Sequence, residues 1–307
     1  MYKTSKNFLS SSLILNNIQH MNKDLLFHYT SPDGAIGIIK NECLWATDIR
    51  FLNDSEEFIH GCKLVKEIAA KIKSGEIDHG FNENFLEYLL SAIDSLVGGR
   101  DSSVTAYVIS FSGQNDSLNQ WRAYSGDSGY ALGWNIDMLR RLAKFRGAKL
   151  VKCIYEEDEQ RKFVRRIIKL VAHKIKNMED DMWKGCISSY VIKYILQRFM
   201  PRLKNIAFMD EQEWRIVITR DEPIKFRSGR LGITPYVDFP ISNDAPKPEI
   251  NNIFSKHENT YMPSIVTIGP CENQRLATIG IEQLFSGTGK LLFKKNLSTI
   301  PYRHMRK

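Results

Sequence analysis

The sequence predicts an α+β fold. Helical and extended segments are interspersed along the chain without the regular strand–helix–strand alternation of a doubly wound sheet. Hydrophobic residues make up 43% of the 307 positions and charged residues 25%, a mix that supports a real core and excludes a disordered chain. No internal repeat or low-complexity segment is visible. The length fits one large domain or two modest ones, and we expect a single domain over residues 1–307.

The first half of the chain combines extended runs with helical periodicity. Ser31 and Pro32 form a helix start, and Asn53, Asp54 and Ser55 form a second one. Glutamates follow the second start, where the helix dipole favours negative charge. Runs of β-branched and aromatic residues indicate strands. The predicted elements are strands at 25–30, 44–47, 104–111 and 130–134, and helices at 35–39, 55–73 and about 85–96.

The second half predicts longer helices, two of which form an insertion at about 156–205. Pro201 ends the second of these, because proline cannot continue a helix. The stretch 221–263 is rich in Pro, Asn, Asp and Gly and is typical of a loop, although its length suggests some hidden structure. The predicted elements are helices at 136–146, 158–177, 182–199 and 274–285, and strands at 150–155, 214–219, 264–268 and 291–293.

Positive charge is concentrated in the later part of the chain. The formal net charge is +8, and residues 101–307 alone carry +11. No acidic residue stands between Glu159 and Glu179, while basic residues recur from Arg161 to Lys176. Such a run is usually a solvated helix face. The alternative is a surface for an anionic partner such as RNA or DNA.

Cysteine and hydropathy patterns point to a cytoplasmic protein with no membrane partner. The five cysteines are widely spaced and form no C-x-x-C pair, which indicates free thiols in a reducing compartment. No apolar run approaches the roughly 18 residues of a membrane span, and the serine-rich start is not typical of a signal peptide. The seven histidines are scattered, so we expect no metal site.

One segment, residues 210–218, combines apolar and charged side chains in alternation. Alternate residues of a strand share a face. One face carries Trp214, Ile216 and Ile218, and the other carries Glu211, Glu213 and Arg215. The first interpretation is a half-exposed strand with a surface ion pair. The second is a strand that lines a cleft, in which Arg215 pairs with one carboxylate and the other carboxylate is available for catalysis.

Two further regions could contribute to a site. His28 lies on the first predicted strand, where an imidazole could hold a sugar hydroxyl or transfer a proton. Ser112 ends a strand, and aromatic and glycine residues follow it, among them Trp121, Tyr124 and Tyr130. Glycines beside aromatics permit a flat ligand to approach the backbone. Because no phosphate loop, dinucleotide-binding glycine motif or nucleophile elbow occurs, the corresponding enzyme classes are disfavoured.

The order of these motifs resembles a bacterial family of unknown-function domains. The resemblance spans roughly residues 24–285 and, more distantly, extends to the ADP-ribosyltransferase fold, including the toxins that ADP-ribosylate DNA. The motifs that carry it are Phe27-His28-Tyr29-Thr30, Leu44-Trp45-Ala46-Thr47, Leu52-Asn53-Asp54 with Glu57, Ser110-Phe111-Ser112, Trp121-Arg122-Ala123-Tyr124, Tyr130-Ala131-Leu132-Gly133 and Glu211-Gln212-Glu213-Trp214-Arg215.

This resemblance implies NAD as co-substrate and a split, mixed or antiparallel sheet with helical insertions. It implies that Glu213 and Glu211 are catalytic: Glu213 would stabilise the charge that develops as nicotinamide leaves, and Glu211 would orient the acceptor. His28, within the motif that includes Tyr29 and Thr30, would hold NAD. Tyr130 or Tyr124 would stack on nicotinamide, and Ser112 would brace Glu213. Further candidate site residues are Asn53, Asp54, Glu57, Trp121 and Arg215.

The function that follows is an NAD-dependent mono-ADP-ribosyltransferase, as a toxin or anti-phage effector that modifies nucleic acid or protein, with an antitoxin as a further partner. Positive charge favours a nucleic-acid acceptor. Two alternatives stay open. In a metal-dependent nuclease, Asp54, Glu57, Glu211 and Glu213 would converge on Mg²⁺. In a catalytically inactive module, the fold would bind NAD or nucleic acid without turnover.

Overall fold

The computed structural model describes residues 25–52, 56–76, 83–97, 106–176, 184–219, 222–229, 231–242, 261–290 and 294–301. Over these residues the fold is α+β, as predicted: helices and strands are interspersed, and strands pair in both parallel and antiparallel senses. The chain divides into two compact units. Unit 1 comprises Met1–Cys43, Phe111–Phe145 and Ile241–Lys307, and unit 2 comprises Leu44–Ser110 and Arg146–Pro240.

The described helices and strands are distributed along the whole chain. The helices are α1 (Pro32–Asn41), α2 (Glu56–Lys73), α3 (Glu83–Val97), α4 (Leu118–Tyr124), α5 (Ile136–Phe145), α6 (Glu157–Lys176), α7 (Lys184–Phe199) and α8 (Gln274–Gly287). Short 3₁₀ helices occupy Ile49–Phe51, Met200–Arg202 and Ile206–Glu211. The strands are β1 (Leu25–Thr30), β2 (Cys43–Asp48), β3 (Tyr107–Ser112), β4 (Tyr130–Asn135), β5 (Lys149–Lys152), β6 (Glu213–Ile218), β7 (Lys225–Gly229), β8 (Gly232–Pro240), β9 (Ile265–Ile268) and β10 (Lys294–Leu297).

Unit 1 is built on strands in the order β10-β9-β4-β1. β4 pairs antiparallel with both β1 and β9, and the end of β3 joins β1 through Ser112 opposite Phe27. β9 and β10 run parallel, and α8 lies in the connection between them, since a parallel pair requires a crossover. β1 thus lies between β4 and the end of β3, both of which come later in the chain.

The core of unit 1 is closely packed around β4. A Cβ atom on Gly133 would overlap the side chain of Ile265 and the ring of Phe27. Only glycine fits where side chains from neighbouring strands meet at this distance. The surrounding apolar cluster consists of Phe27, Tyr29, Trp121, Ala131 and Ile265.

Unit 2 combines a helical layer with strands in the order β5-β6-β3-β2-β8-β7. Helix α2 contacts α3 and α6, and α7 contacts α3 and α6 as well. The buried positions of α6 recur every three or four residues, as burial of one helix face requires; they are Val164, Ile167, Ile168, Val171 and Ile175. This helical layer and the strands share one apolar core that extends from Ile49 to Val217.

The structure confirms most predicted elements, corrects two, and leaves one outside the described residues. The predicted loop 221–263 contains the hairpin β7–β8, whose turn uses Gly232 at φ 103°. Gly232 was the sequence signal for this hairpin, because a positive φ favours glycine. Helix α4 was missed because seven residues are too few for a periodic pattern. The last described strand is β10 (Lys294–Leu297), and the predicted strand at 291–293 lies outside the described residues.

Candidate functional site

A cluster of four charged side chains, three of them buried, lies at the start of β6 in unit 2. Lys204 Nζ lies 2.6 Å from Glu213 Oε2 and 2.9 Å from Glu211 Oε2. Arg215 donates from Nε to Glu213 Oε1 at 2.8 Å and from Nη2 to Glu213 Oε2 at 2.9 Å. Glu213 is 5% exposed and Arg215 2%. The cluster thus contains two buried cations, the buried carboxylate of Glu213 and the half-buried carboxylate of Glu211.

Local chain geometry brings the two glutamates to the same lysine. The 3₁₀ helix Ile206–Glu211 ends at Gln212, whose φ of 45° is left-handed, and β6 begins at the next residue. Within β6, Glu213 and Arg215 share a face, as predicted. The interpretation of a half-exposed strand with a surface ion pair is wrong, because both side chains are buried. Trp214, predicted to face the core, is only half-buried.

The surroundings of Glu213 keep it ionised. Burial raises the pKa of its carboxyl, but the nearby charges of Arg215 and Lys204 and their hydrogen bonds outweigh this effect and lower the pKa to about 2. The backbone N–H of Glu213 donates to the Tyr155 hydroxyl at 2.8 Å. Burial in turn raises the pKa of Tyr155, so this phenol is protonated at neutral pH.

An open cleft of about 420 Å³ lies in front of this cluster, within unit 2. Its lining residues come from α2, from the segment 155–161 at the start of α6, and from the segment 204–206. Lys204 and Tyr155, which both contact Glu213, line the cleft, whereas Glu213 itself does not. The full lining is His60, Lys63, Leu64, Glu67, Tyr155, Glu156, Glu157, Gln160, Arg161, Lys204, Asn205 and Ile206.

Gln160 fixes the orientation of His60 in this cleft. The Gln160 side chain is 2% exposed, and its Nε2 donates to the carbonyls of Ile154 and Lys204, both at 2.8 Å. Its Oε1 therefore faces His60 Nε2, at 3.3 Å. Because an amide oxygen only accepts, His60 Nε2 must donate, and in the neutral imidazole the lone pair lies on Nδ1.

The first predicted NAD-binding motif lies on β1, in unit 1. His28 is half-buried, with its ring 5.8 Å from that of Phe111. The Tyr29 hydroxyl donates to the Gln114 carbonyl at 2.8 Å and accepts from the Ser117 N–H at 3.1 Å. Thr30 is half-buried at the end of the strand. Tyr29 is thus a buried anchor for the loop after β3.

The other predicted residues of unit 1 have varied surroundings. Ser112 is buried, and its hydroxyl accepts from the Gln114 N–H at 3.1 Å. Trp121 is buried and donates from Nε1 to Asp116 at 2.8 Å. The Tyr130 hydroxyl donates to the Ala277 carbonyl at 3.0 Å, whereas Tyr124 is 39% exposed. Their roles toward NAD stay predictions.

Three further candidates fall at the edge of the described structure. Asn53 and Asp54 lie outside the described residues, and so does the side chain of Glu57, although its backbone belongs to α2. Among the side chains that are described, no group of three or more His, Cys, Asp or Glu could hold a metal ion. Between Glu211 and Glu213 the bridging cation is Lys204.

Sequence reasoning missed Lys204, Tyr155, His60 and Gln160. Lys204 belongs to no periodic element, and Gln160 lies 100 positions from His60. The available signal was weaker: a glutamine at a buried position of an amphipathic helix must find hydrogen-bond partners.

Comparison with known protein families gives a match over part of the chain. A family model described as a protein of unknown function (DUF2971) matches residues 120–216, a range that includes α6, Lys204, Glu211 and Glu213 but not His60. This similarity supports the expected resemblance to a family of unknown-function domains. No curated protein and no solved structure matches the chain. In the described residues, none of the helices is both long enough and apolar enough to span a bilayer.

Proposed function

We propose that the protein is an NAD-dependent mono-ADP-ribosyltransferase that acts as a toxin or anti-phage effector. The observation that carries this proposal is the ionised carboxylate of Glu213, which Lys204 and Arg215 hold in place. Lys204 also lines a nucleotide-sized cleft, so that a single side chain separates the carboxylate from it. The resemblance of the motif order to the ADP-ribosyltransferase fold supplies the reaction class, with an ADP-ribosyltransferase-like sheet as part of the proposal.

The chemistry requires a fixed negative charge. When the N-glycosidic bond to nicotinamide breaks, the ribose acquires oxocarbenium character, as in glycosidases. A carboxylate that needs no reorganisation stabilises such a charge better than a mobile one. Glu211, whose side chain is 18% exposed against 6% for Glu213, is the carboxylate better placed to meet an acceptor.

Exposed basic residues of α6 support a nucleic-acid acceptor. Arg165, Arg166 and Lys169 are exposed, and they lie on the helix face opposite its buried residues. Within the described chain no salt bridge joins any of the three to an acidic residue, although the charge of Arg166 acts on Glu159, and backbone phosphates are suitable counterions. An antitoxin that covers this surface would restrain the protein.

The test is incubation of the full chain with adenylate-labelled NAD and separate pools of RNA, DNA and protein. We expect label in RNA or DNA, and loss of labelling in Glu211→Gln and Glu213→Gln. Glu211→Gln is the cleaner variant, because Glu213 is the more deeply buried. Glu87→Gln is the matched control, since Glu87 is a 66% exposed carboxylate on α3. Labelling that survives in Glu211→Gln and Glu213→Gln would overturn the assignment.

The acceptor class has its own test. For binding to RNA or DNA, the salt dependence should weaken by about one unit of log–log slope for each phosphate contact removed. Arg165→Ala/Lys169→Ala should therefore lower the slope, whereas Arg141→Ala/Lys144→Ala, an equal charge change on α5, should not. A flat salt dependence in the native protein contradicts a nucleic-acid acceptor and favours a protein.

One observation favours a second candidate, a binding module without turnover. Both oxygens of Glu213 already accept hydrogen bonds from Lys204 or Arg215, an arrangement typical of a structural ion pair. Such a module would be stabilised by NAD but would not cleave it. Thermal stabilisation by NAD without release of nicotinamide would identify this case.

A further inference from the structure

The cleft in unit 2 contains polar groups that its own contacts leave available. Lys63 and Glu156 are exposed, and in the described part of the chain neither has an ion-pair partner. The other charges are occupied: Arg161 binds Glu67 at 2.9 Å and Glu157 at 2.7 Å. A ligand would therefore meet one spare cation and one spare carboxylate.

His60 adds a hydrogen-bond acceptor of known direction. Its Nε2 is committed to Gln160 as a donor, so that Nδ1 carries the lone pair of the neutral ring. Lys63 lies three residues further along α2, on the same helix face as His60. An acceptor and a cation thus stand side by side on one wall, and both line the cleft.

These groups define the chemistry of the occupant. The imidazole and the carboxylate accept hydrogen bonds from hydroxyl groups, and the ammonium group binds an anion. The ring of Tyr155 and the side chains of Leu64 and Ile206 add flat or apolar surface. A volume of about 420 Å³ lies within the range of small-molecule sites. Hydroxyls, an anion and a flat ring occur together in a nucleotide.

We propose that this cleft binds the ribose-phosphate unit of a nucleotide, with Lys63 on the phosphate and His60 Nδ1 accepting from a ribose hydroxyl. The unit is common to NAD and to other nucleotides, so the inference narrows the substrate class of the proposed transferase. The inference can be tested without any turnover. Adenosine monophosphate (AMP) has the ribose-phosphate unit but no nicotinamide group that the proposed transferase could release.

The experiment is isothermal titration of the full chain with AMP, 2′,3′-dideoxy-AMP, adenosine and inorganic phosphate. We expect AMP to bind most tightly. The dideoxy analogue should bind about fivefold more weakly, the effect of one lost hydrogen bond. Lys63→Ala should weaken AMP about tenfold, because a hydrogen bond to a charged group is lost. Lys66→Ala is the matched control, since Lys66 pairs with Asp94 and does not line the cleft.

His60→Phe gives the sharper readout. This variant should bind AMP and the dideoxy analogue equally, whereas His173→Phe, an exposed histidine on α6, should keep the fivefold difference. The native protein carries the test even if His60→Phe is unstable: equal affinity for the two ligands, or no AMP binding at millimolar concentration, overturns the inference. AMP binding without NAD cleavage would refute only the transferase, and NAD cleavage without AMP binding would refute only this site.

Discussion

The substitution Glu213→Gln tests the energetic role of the buried charge cluster. It keeps the shape of the side chain but leaves Lys204 and Arg215 with Glu211 as the remaining carboxylate of the cluster. Removing one partner of a buried ion pair costs about 3–5 kcal/mol. A shift of the Glu213 pKa from 4.5 to about 2 corresponds to about 3 kcal/mol. Both routes predict a loss of about 3 kcal/mol at pH 7.

The pH dependence has a defined sign. Because the pKa of Glu213 is lower in the folded protein, its contribution is complete above pH 4.5 and disappears as the pH falls toward about 2. The stability difference between the native protein and Glu213→Gln should therefore shrink over this window. Above pH 5 the stability difference should stay constant, since Glu213 is ionised in both the folded and the unfolded native chain.

Urea unfolding followed by circular dichroism at pH 7, 5 and 3 measures the difference. Glu87→Gln provides the reference, because an exposed carboxylate should change the free energy of unfolding by less than about 0.5 kcal/mol. A Glu213→Gln deficit that is as large at pH 3 as at pH 7 would refute the reasoning, since it could not come from the charge.

Four further substitutions test the packing and hydrogen bonds described above. Gln160→Leu should lower the free energy of unfolding in urea by about 1–3 kcal/mol, because the Lys204 carbonyl loses its side-chain donor and the Ile154 carbonyl keeps only the Lys204 N–H. Gly133→Ala should destabilise the protein by about 1–3 kcal/mol, because the new methyl group overlaps neighbouring side chains. Gly280→Ala meets open space in α8 and should stabilise the protein by about 0.5–1 kcal/mol. Equal melting temperatures for the two variants would contradict this prediction. Asp116→Asn should lower the melting temperature, because one acceptor oxygen bonded to Trp121, Ser298 or Thr299 is lost.

Elements with a clear local pattern could be predicted from the sequence. The apolar spacing of α2 and the cap of α1 depend on neighbours within a few positions, and both helices are confirmed. The hairpin β7–β8 was missed because composition concealed its pairing: β7 is largely exposed and lacks a buried face. A strand shows an alternating apolar pattern in the sequence only when one of its faces is buried, and β7 has no such face.

The candidate site could be predicted only in part. Alternation placed Glu213 and Arg215 on one face of β6, and the structure confirms this pairing. Their burial could not be predicted, because it depends on Lys204, which arrives through a turn and a 3₁₀ helix. The contact between His60 and Gln160 depends in the same way on how two helices pack.

Each compact unit is assembled from separate stretches of chain, and this has consequences for synthesis on the ribosome. β1 leaves the ribosome first in unit 1, yet β9, which pairs with its neighbour β4, emerges more than 200 residues later. Contacts so distant in sequence slow folding, and exposed strand edges must wait unpaired in the meantime. No single cut of the gene would yield either unit intact, so truncation experiments should remove paired segments together.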